Sequence, residues 1–189
     1  MKKGRVILVV FIALIIAWIA AGDSLAGWVM HRLYPRPYGE LVRREAAEFS
    51  LDENLLYAVM KAESGFDEKA QSRAGACGLM QLTPATFQWI AEQYPPENGG
   101  GDIFDPSDNL HCAGALLRKL LDHYGTLEVA LAAYNAGMGN VSGWLSEEDY
   151  SADGKNLHTI PYPETDSYVK KVTKYYGTYK RLYEGGESG

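Results

Sequence analysis

The sequence predicts a mainly α-helical single domain behind an N-terminal membrane segment. Three observations carry that expectation. Apolar residues recur at three- and four-residue spacing through most of the chain beyond residue 38, and no stretch alternates with the two-residue period of a strand comparably well. Val6 to Ala21 is a run of sixteen residues without a charge, preceded by Lys2, Lys3 and Arg5. At most a short hairpin is expected among the helices.

The apolar run is long for the core of a cleavable signal and short for a bilayer span, which takes about 17 to 25 residues. Ser24-Leu25-Ala26 offers small residues at plausible cleavage positions, whereas Leu25 to Tyr34, with Trp28, could lie at a membrane interface as part of an anchor. The anchor is the favoured expectation. The cationic flank places the N-terminus in the cytoplasm and the rest of the chain outside it. Residues 1–34 are thus expected to be anchor or signal plus juxtamembrane segment, and 35–189 the globular domain.

Pro35 to Pro37 marks a linker, and Gly39 to Phe49 reads as the first helix of the globular part, with Leu41, Val42, Ala46 and Phe49 inward. Leu51, Leu55, Ala58, Val59 and Ala62 share one face of the next helix, which Gly65 stops. Thr83 as cap and Pro84 at the first position start a helix to about Gln93. Tyr94 to Gly101, rich in Pro and Gly, is a surface loop. Asp105-Pro106 and Asp108 open a helix to about Tyr124, with Leu110, Ala113, Leu116, Leu117, Leu120 and Leu121 apolar and Gly125 closing it. Thr126 caps Leu127 to Ala136, and Met138 to Ser142 is expected to be a turn. Trp144 and Leu145 pack a short helical segment, and Glu147 to His158 is a loop. Thr165 to Tyr183 is the final helix, with Tyr168, Val169, Val172, Tyr175, Tyr176, Tyr179 and Leu182 on a broad face.

Composition narrows the function. Apolar residues make up 47% and aromatic residues 12%, well above the disordered range, so the globular part can build a core. The formal charge is −6, and beyond Arg5 the chain is three charges more negative, a poor match for nucleic acid. Cys77 and Cys112 are the two cysteines. Outside the cytoplasm they are compatible with a disulfide, which is the expectation, or they are separate buried thiols. His111, Cys112, Cys77 and His123 do not make a convincing metal set, because neighbours on a helix point apart; no metal and no cofactor is expected.

Glu63 ends the apolar run Leu55-Leu56-Tyr57-Ala58-Val59-Met60-Lys61-Ala62-Glu63-Ser64-Gly65. The negative end of a helix dipole disfavours an anion there, and burial beside apolar groups raises a carboxyl pKa further. A neutral, proton-donating carboxyl is what a general acid requires. Glycoside cleavage by two carboxylates would need a partner, and Asp67, Glu68, Asp102 and Glu164 are all candidates; a substrate that supplies its own nucleophile would need none.

Four blocks in order, Glu63-Ser64, Gly78-Leu79-Met80-Gln81, Ala132-Ala133-Tyr134-Asn135-Ala136-Gly137 and Ile160 to Val169, resemble the lytic transglycosylases of the soluble-type catalytic domain, from about Tyr38 to Tyr183. The resemblance implies a fold related to goose-type lysozyme. It also implies cleavage of peptidoglycan between N-acetylmuramic acid and N-acetylglucosamine without water, one Glu acting as acid and then base while the muramic C6 hydroxyl closes a 1,6-anhydro ring. Carried over by position, it assigns catalysis to Glu63 and cleft positions to Ser64, Ser72, Met80, Gln81, Tyr134, Asn135, Glu164 and Tyr168. Gln81 would bond a saccharide, Tyr134 would donate near the reacting sugar, and Glu164 would contact sugar or stem peptide. Thr83 departs from the Met that many relatives carry there. The implied partners are peptidoglycan strands and the membrane, with the domain outside the bacterial cell membrane, or secreted if the signal is cleaved. A hydrolytic muramidase and a noncatalytic glycan-binding module are the alternatives.

Overall fold

A computed structural model describes residues 25–97 and 99–184. The chain falls into two compact units, Met1–Arg36 and Pro37–Gly189. Within the first, residues 25–33 are helical (α1) and expose Leu25, Trp28, Val29 and Leu33. The run Val6 to Ala21, on which the membrane expectation rests, lies outside the described residues. Among the described residues, no helix is long and apolar enough to cross a membrane.

The second unit is helical throughout: α2 (Gly39–Glu48), α3 (Glu53–Glu63), α4 (Pro84–Gln93), α5 (Pro106–Tyr124), α6 (Leu127–Ala136), α7 (Met138–Leu145) and α8 (Pro163–Tyr183). Local chemistry sets several boundaries. Asp52 caps α3 by accepting from Asn54 N, Thr83 caps α4 by accepting from Thr86 N, and Asp105 caps α5 by accepting from Ser107 N and Asp108 N. Gly125, at φ 73, ends α5 in the left-handed conformation that costs glycine little. Isolated bridges Gln71 to Cys77 and Cys77 to Leu82 are the extent of strand pairing among the described residues.

The core forms where α3 lies along α8 and α6 packs between α8 and α5. Leu56, Tyr57, Val59 and Met60 of α3 are fully or almost fully buried, and Tyr57 stacks on Tyr179 with ring centroids 5.7 Å apart. The near-continuous apolar run of α3 is therefore explained by contact on most of its circumference. On the other flank α2 approaches α5 closely at Gly114, where a Cβ would sit 2.9 Å from the Phe49 ring.

Two sequence expectations are corrected, and one buried charge is added. Met138 to Ser142 is not a turn but the first part of α7: Gly137, at φ 86, redirects the chain, and burial of Val141 and Trp144 extends the helix to Leu145. Glu45 of α2, which the sequence reading left unremarked, is 1% exposed; its carboxylate accepts from Arg44 Nε at 2.8 Å and meets His111 Nδ1 at 2.7 Å. A charge buried to that degree requires such partners. Cys77 and Cys112 are both buried and unbridged. Cys77 Sγ turns back to the carbonyl of Gly75 at 3.4 Å, and burial pushes the Cys112 thiol up to about 12, so each behaves as a small core residue.

Candidate active site

The site is built where the C-terminal end of α3 meets the segment leading to α4, the end of α6 and the first turns of α8. α3 carries Glu63 on its last turn. Beyond it Gly65 and Phe66 take φ values of 61 and 76, and the Ser64 hydroxyl accepts from Phe66 N at 3.0 Å to hold this sharp reversal. A left-handed conformation is easy for glycine but strained for a side chain as large as Phe66, and such strain clusters at functional sites. Ser64 thus shapes the turn behind Glu63. From α8, Lys171 Nζ donates to the carbonyl of Ala62 at 2.9 Å, satisfying one of the orphan carbonyls at the helix end.

The segment Gln71 to Leu82 is held from below by Asn109 on α5, which is fully buried. Its Oδ1 accepts from Met80 N at 2.8 Å, and its Nδ2 donates to Cys77 O at 3.1 Å and Ile103 O at 2.8 Å. Gly78, at φ 77, lies so close that a Cβ would be 2.5 Å from Asn109 Nδ2 and 2.6 Å from Ile103 O. Glycine is required there for both conformation and space. Gln81, at φ 50, folds its amide nitrogen onto Ala70 O at 3.0 Å and Gly78 O at 2.9 Å. The nitrogen is thereby committed to the loop, and the amide oxygen is the atom left to face a ligand.

Tyr134, near the end of α6, donates to Met80 O at 2.9 Å. That bond joins α6 to the loop and commits the phenolic proton, so the outward-facing capability of Tyr134 Oη is that of an acceptor. Asn135 accepts at its Oδ1 from Thr165 Oγ1 at 2.7 Å, which fixes the first turn of α8 against the last turn of α6. Met80 is 0% exposed, so its side chain belongs to the core and is corrected from a cleft contact; its backbone N and O are what it contributes. Ser72 is exposed, but its hydroxyl accepts from Ala76 N at 3.0 Å and closes its own turn.

Electrostatics single out Glu63. Burial pushes its carboxyl up to about 7; Glu164 pushes the same way, while Tyr168 and the Lys171 ammonium favour the anion and only partly offset the burial. Tyr134 and Tyr168 are both held well above the usual phenol range, first by burial and then by the nearby Glu63. Tyr168 Oη is buried without a hydrogen bond of good geometry, yet lies close enough to bias the Glu63 carboxyl. A buried hydroxyl left open beside an acid is poised to bond its ionised form. Glu164 is exposed, at the mouth rather than the floor of the site.

The structure therefore brings Glu63, Tyr134, Tyr168 and Glu164 into one electrostatic neighbourhood, with Gln81 and Asn135 in the elements that frame it. Two residues escaped the sequence reading. Asn109 looked like one polar residue in the first turn of a long helix, and only its i+3 and i+4 apolar neighbours hinted that it faces inward. Lys171 sits on a helix with many cations, and nothing local marks it. Among the described residues, no three His, Cys, Asp or Glu side chains converge as metal ligands. A concavity of about 760 Å³ between His158 to Ile160 and the α8 face bearing Val169 and Thr173 is lined by none of the residues around Glu63.

Comparison with known proteins agrees with this geometry. Residues 40–157 match the Transglycosylase SLT domain. The chain is 30% identical over 153 residues to a soluble lytic murein transglycosylase of Salmonella typhimurium, covering 79% of this chain and 24% of that protein. It resembles the structure of an inactive mutant of the lytic transglycosylase Slt from Pseudomonas aeruginosa, with a TM-score of 0.68 at 30% identity, covering 80% of this chain and 25% of that one. The 70 kDa soluble lytic transglycosylase of Escherichia coli gives a TM-score of 0.70 at 27% identity over 83% of this chain and 26% of its own. The chain thus spans about a quarter of the length of these relatives.

Replacing Asn109 by Leu should remove two buried bonds to the loop and a third to Ile103 O, and lower unfolding free energy by about 3 kcal/mol. Urea titration of the two proteins measures this, and a loss below about 1 kcal/mol would show that the loop is held by other means. Glu63 has the opposite effect on stability at high pH. Its carboxyl titrates at about 7 when folded against an ordinary 4.5, so its favourable contribution is complete below about 4.5 and is lost as pH rises through 7. Above that the ionised group costs up to about 3 kcal/mol. Glu63→Gln, which cannot ionise, should gain stability relative to the parent between pH 5 and pH 8. A pH-independent difference in unfolding would refute the raised titration.

Proposed function

The chain belongs to the Transglycosylase SLT domain family, and from that premise we propose that it is a peptidoglycan lytic transglycosylase. Its substrate on this reading is the β-1,4 bond between N-acetylmuramic acid and N-acetylglucosamine, cleaved non-hydrolytically to a 1,6-anhydromuramic product. The observation that carries the reading is the largely buried carboxyl of Glu63, pushed up to about 7 in the neighbourhood of two protonated phenols.

Glu63 in its acid form gives its proton to the glycosidic oxygen as the C–O bond breaks and positive charge builds on the muramic ring. The carboxylate left behind stabilises that charge and accepts the proton of the muramic C6 hydroxyl. The hydroxyl oxygen then bonds to the anomeric carbon. Each proton and electron pair is accounted for by one carboxyl group, which ends as it began. The internal hydroxyl needs no capture from solution, and such proximity has large effective molarity. Tyr168, with its open hydroxyl, bonds the carboxylate while it exists. Gln81 Oε1, Tyr134 Oη and the Asn135 amide nitrogen receive sugar hydroxyl and acetamido groups, and Glu164 at the mouth meets the sugar or its stem peptide. Ser72 contributes through the turn that it closes. The step calls for no metal or cofactor.

Residues 35–189 form the catalytic domain on this reading, and residues 1–34 hold it at the outer face of the bacterial cell membrane. The cationic flank, the apolar run Val6 to Ala21 and the exposed apolar side chains of α1 support that placement. The proximity of Glu164 to Glu63 favours the second reading to be tested, a hydrolytic muramidase in which Glu164 would serve water.

Purified peptidoglycan digested in ¹⁸O-enriched water separates the two. The transglycosylase releases muropeptides that are lighter by one water than hydrolysis products and carry no solvent oxygen at the anomeric carbon. Reducing ends labelled with ¹⁸O would assign hydrolysis instead. Glu63→Gln should keep the fold and lose at least about two orders of magnitude in rate, as expected for removing the general acid and base. Near-parental turnover would exclude Glu63 as that group.

A further inference from the structure

Lys171 has no role in the reading above, yet it reaches across from α8 to the peptide immediately before Glu63. Its Nζ donates to Ala62 O at 2.9 Å. That carbonyl is among the last of α3, where the helix dipole presents its negative end and where an ammonium is favoured. The same ammonium favours the ionised form of the Glu63 carboxyl. Glu164, two turns earlier on α8, is exposed and acts in the opposite sense. One helix therefore brings a cation and an anion, two turns apart, to bear on the same largely buried carboxyl.

The other groups around Glu63 do not duplicate this pair. Lys61, on α3 itself, lies over the Phe66 and Tyr175 rings at 5.8 and 5.4 Å from their centroids. Glu68 accepts from Tyr38 Oη at 3.2 Å, and Asp67 accepts from Lys69 N at 2.9 Å, within the turn beyond α3. Tyr134 from α6 and Tyr168 from α8 are neutral phenols across the relevant pH range. Among the described residues, Lys171 is the cation that acts on the Glu63 carboxyl.

We propose that Lys171 is a positioning residue: held on the Ala62 carbonyl, its ammonium fixes the last turn of α3 behind Glu63 and stations a positive charge beside that carboxyl. The inference rests on reading Glu63 as the group that performs both steps. A carboxyl that must give a proton and then take one back works best when its own pKa lies near the working pH. Burial alone would carry Glu63 higher, where it donates less readily. Lys171 draws it back, and Glu164 limits the correction. Lys171 touches no reacting atom; its effect passes through the Ala62 carbonyl and through space.

The test is ¹³C NMR titration of the Glu63 side-chain carboxyl in the full-length protein, with the resonance assigned by its loss in Glu63→Gln. Lys171→Met should move the midpoint upward by roughly half a pH unit, Glu164→Gln should move it downward, and Lys171→Arg, which keeps the charge, should hold it near the parental value. The alkaline limb of the cleavage rate should follow the same order. Opposite displacements cannot arise from a general loosening of the site, which would move both variants one way. An unmoved midpoint in Lys171→Met, or displacement in the same direction by both neutralising variants, overturns the role given to Lys171 and leaves the function reading standing. If Lys171→Met does not fold, Glu164→Gln and Lys171→Arg decide alone: no downward movement in the first, or a displaced midpoint in the second, overturns the proposal. Cleavage retained by Glu63→Gln overturns the function reading, whatever the titration gives.

Discussion

On the proposed reading, the chemistry of this domain depends on keeping one carboxyl largely out of water at the wrong end of a helix. Glu63 occupies the last turn of α3, where both the helix dipole and the low-dielectric surroundings oppose a negative charge. Maintaining that position requires α3 to be packed on most of its circumference, which explains a run from Leu55 to Met60 that is almost wholly buried. It also requires a chain reversal directly after Glu63, made by Gly65 and the strained Phe66. The fold supports this energetically unfavourable arrangement with the long α3–α8 and α6–α8 contacts, in keeping with strain at a site being offset by packing elsewhere.

The segment leading to α4 shows a similar division between what a side chain is and what it is used for. Met80 and Asn109 have no exposed surface at all, yet together they fix the height of the Gln81 backbone over α5. Tyr134 adds a third tie through Met80 O. Removing any one of these would leave a buried peptide group unsatisfied, which is more expensive than a lost contact. Several residues that a sequence match assigns to a cleft therefore act one step behind it. Ser64 and Ser72 close turns, Asn135 joins two helices, and Gln81 spends its nitrogen on the loop that carries it.

Helical order was legible in the sequence because its signals are local. Asp52, Thr83 and Asp105 cap the helices that they precede, Pro84 and Pro106 begin theirs, and Gly125 ends α5. The apolar spacing fixed which side of α5 and α8 faces inward. What the sequence could not carry is tertiary in origin. Met138 to Ser142 has Gly137, Gly139 and Gly143 in or beside it and reads as a turn, but Val141 and Trp144 gain enough burial as a helix to override that preference. Glu45 looked like one of several charges on α2, because its partner His111 is sixty-six residues away. Cys77 and Cys112 had the count for a bridge, yet both are free thiols buried in the core. Glu63 itself was legible as an acid at a helix end, since dipole and apolar neighbours are both local facts; Tyr168 and Glu164 were placed beside it only through the family resemblance and Lys171 not at all, because α8 returns to α3 only in three dimensions.

The hydroxyl groups around Glu63 suggest why one carboxyl would suffice on the proposed reading. Tyr134 has given its proton to Met80 O and can only accept, whereas Tyr168 keeps a buried hydroxyl with no fixed partner. Once Glu63 has given up its proton, the Tyr168 hydroxyl can turn to the new carboxylate and stabilise it where water would otherwise have to enter. A solvent molecule admitted for that purpose would itself be a nucleophile within reach of the anomeric carbon. On that reading a buried phenol would perform the solvating function without that side reaction, and the burial that raises the Glu63 carboxyl would also favour the internal hydroxyl over water.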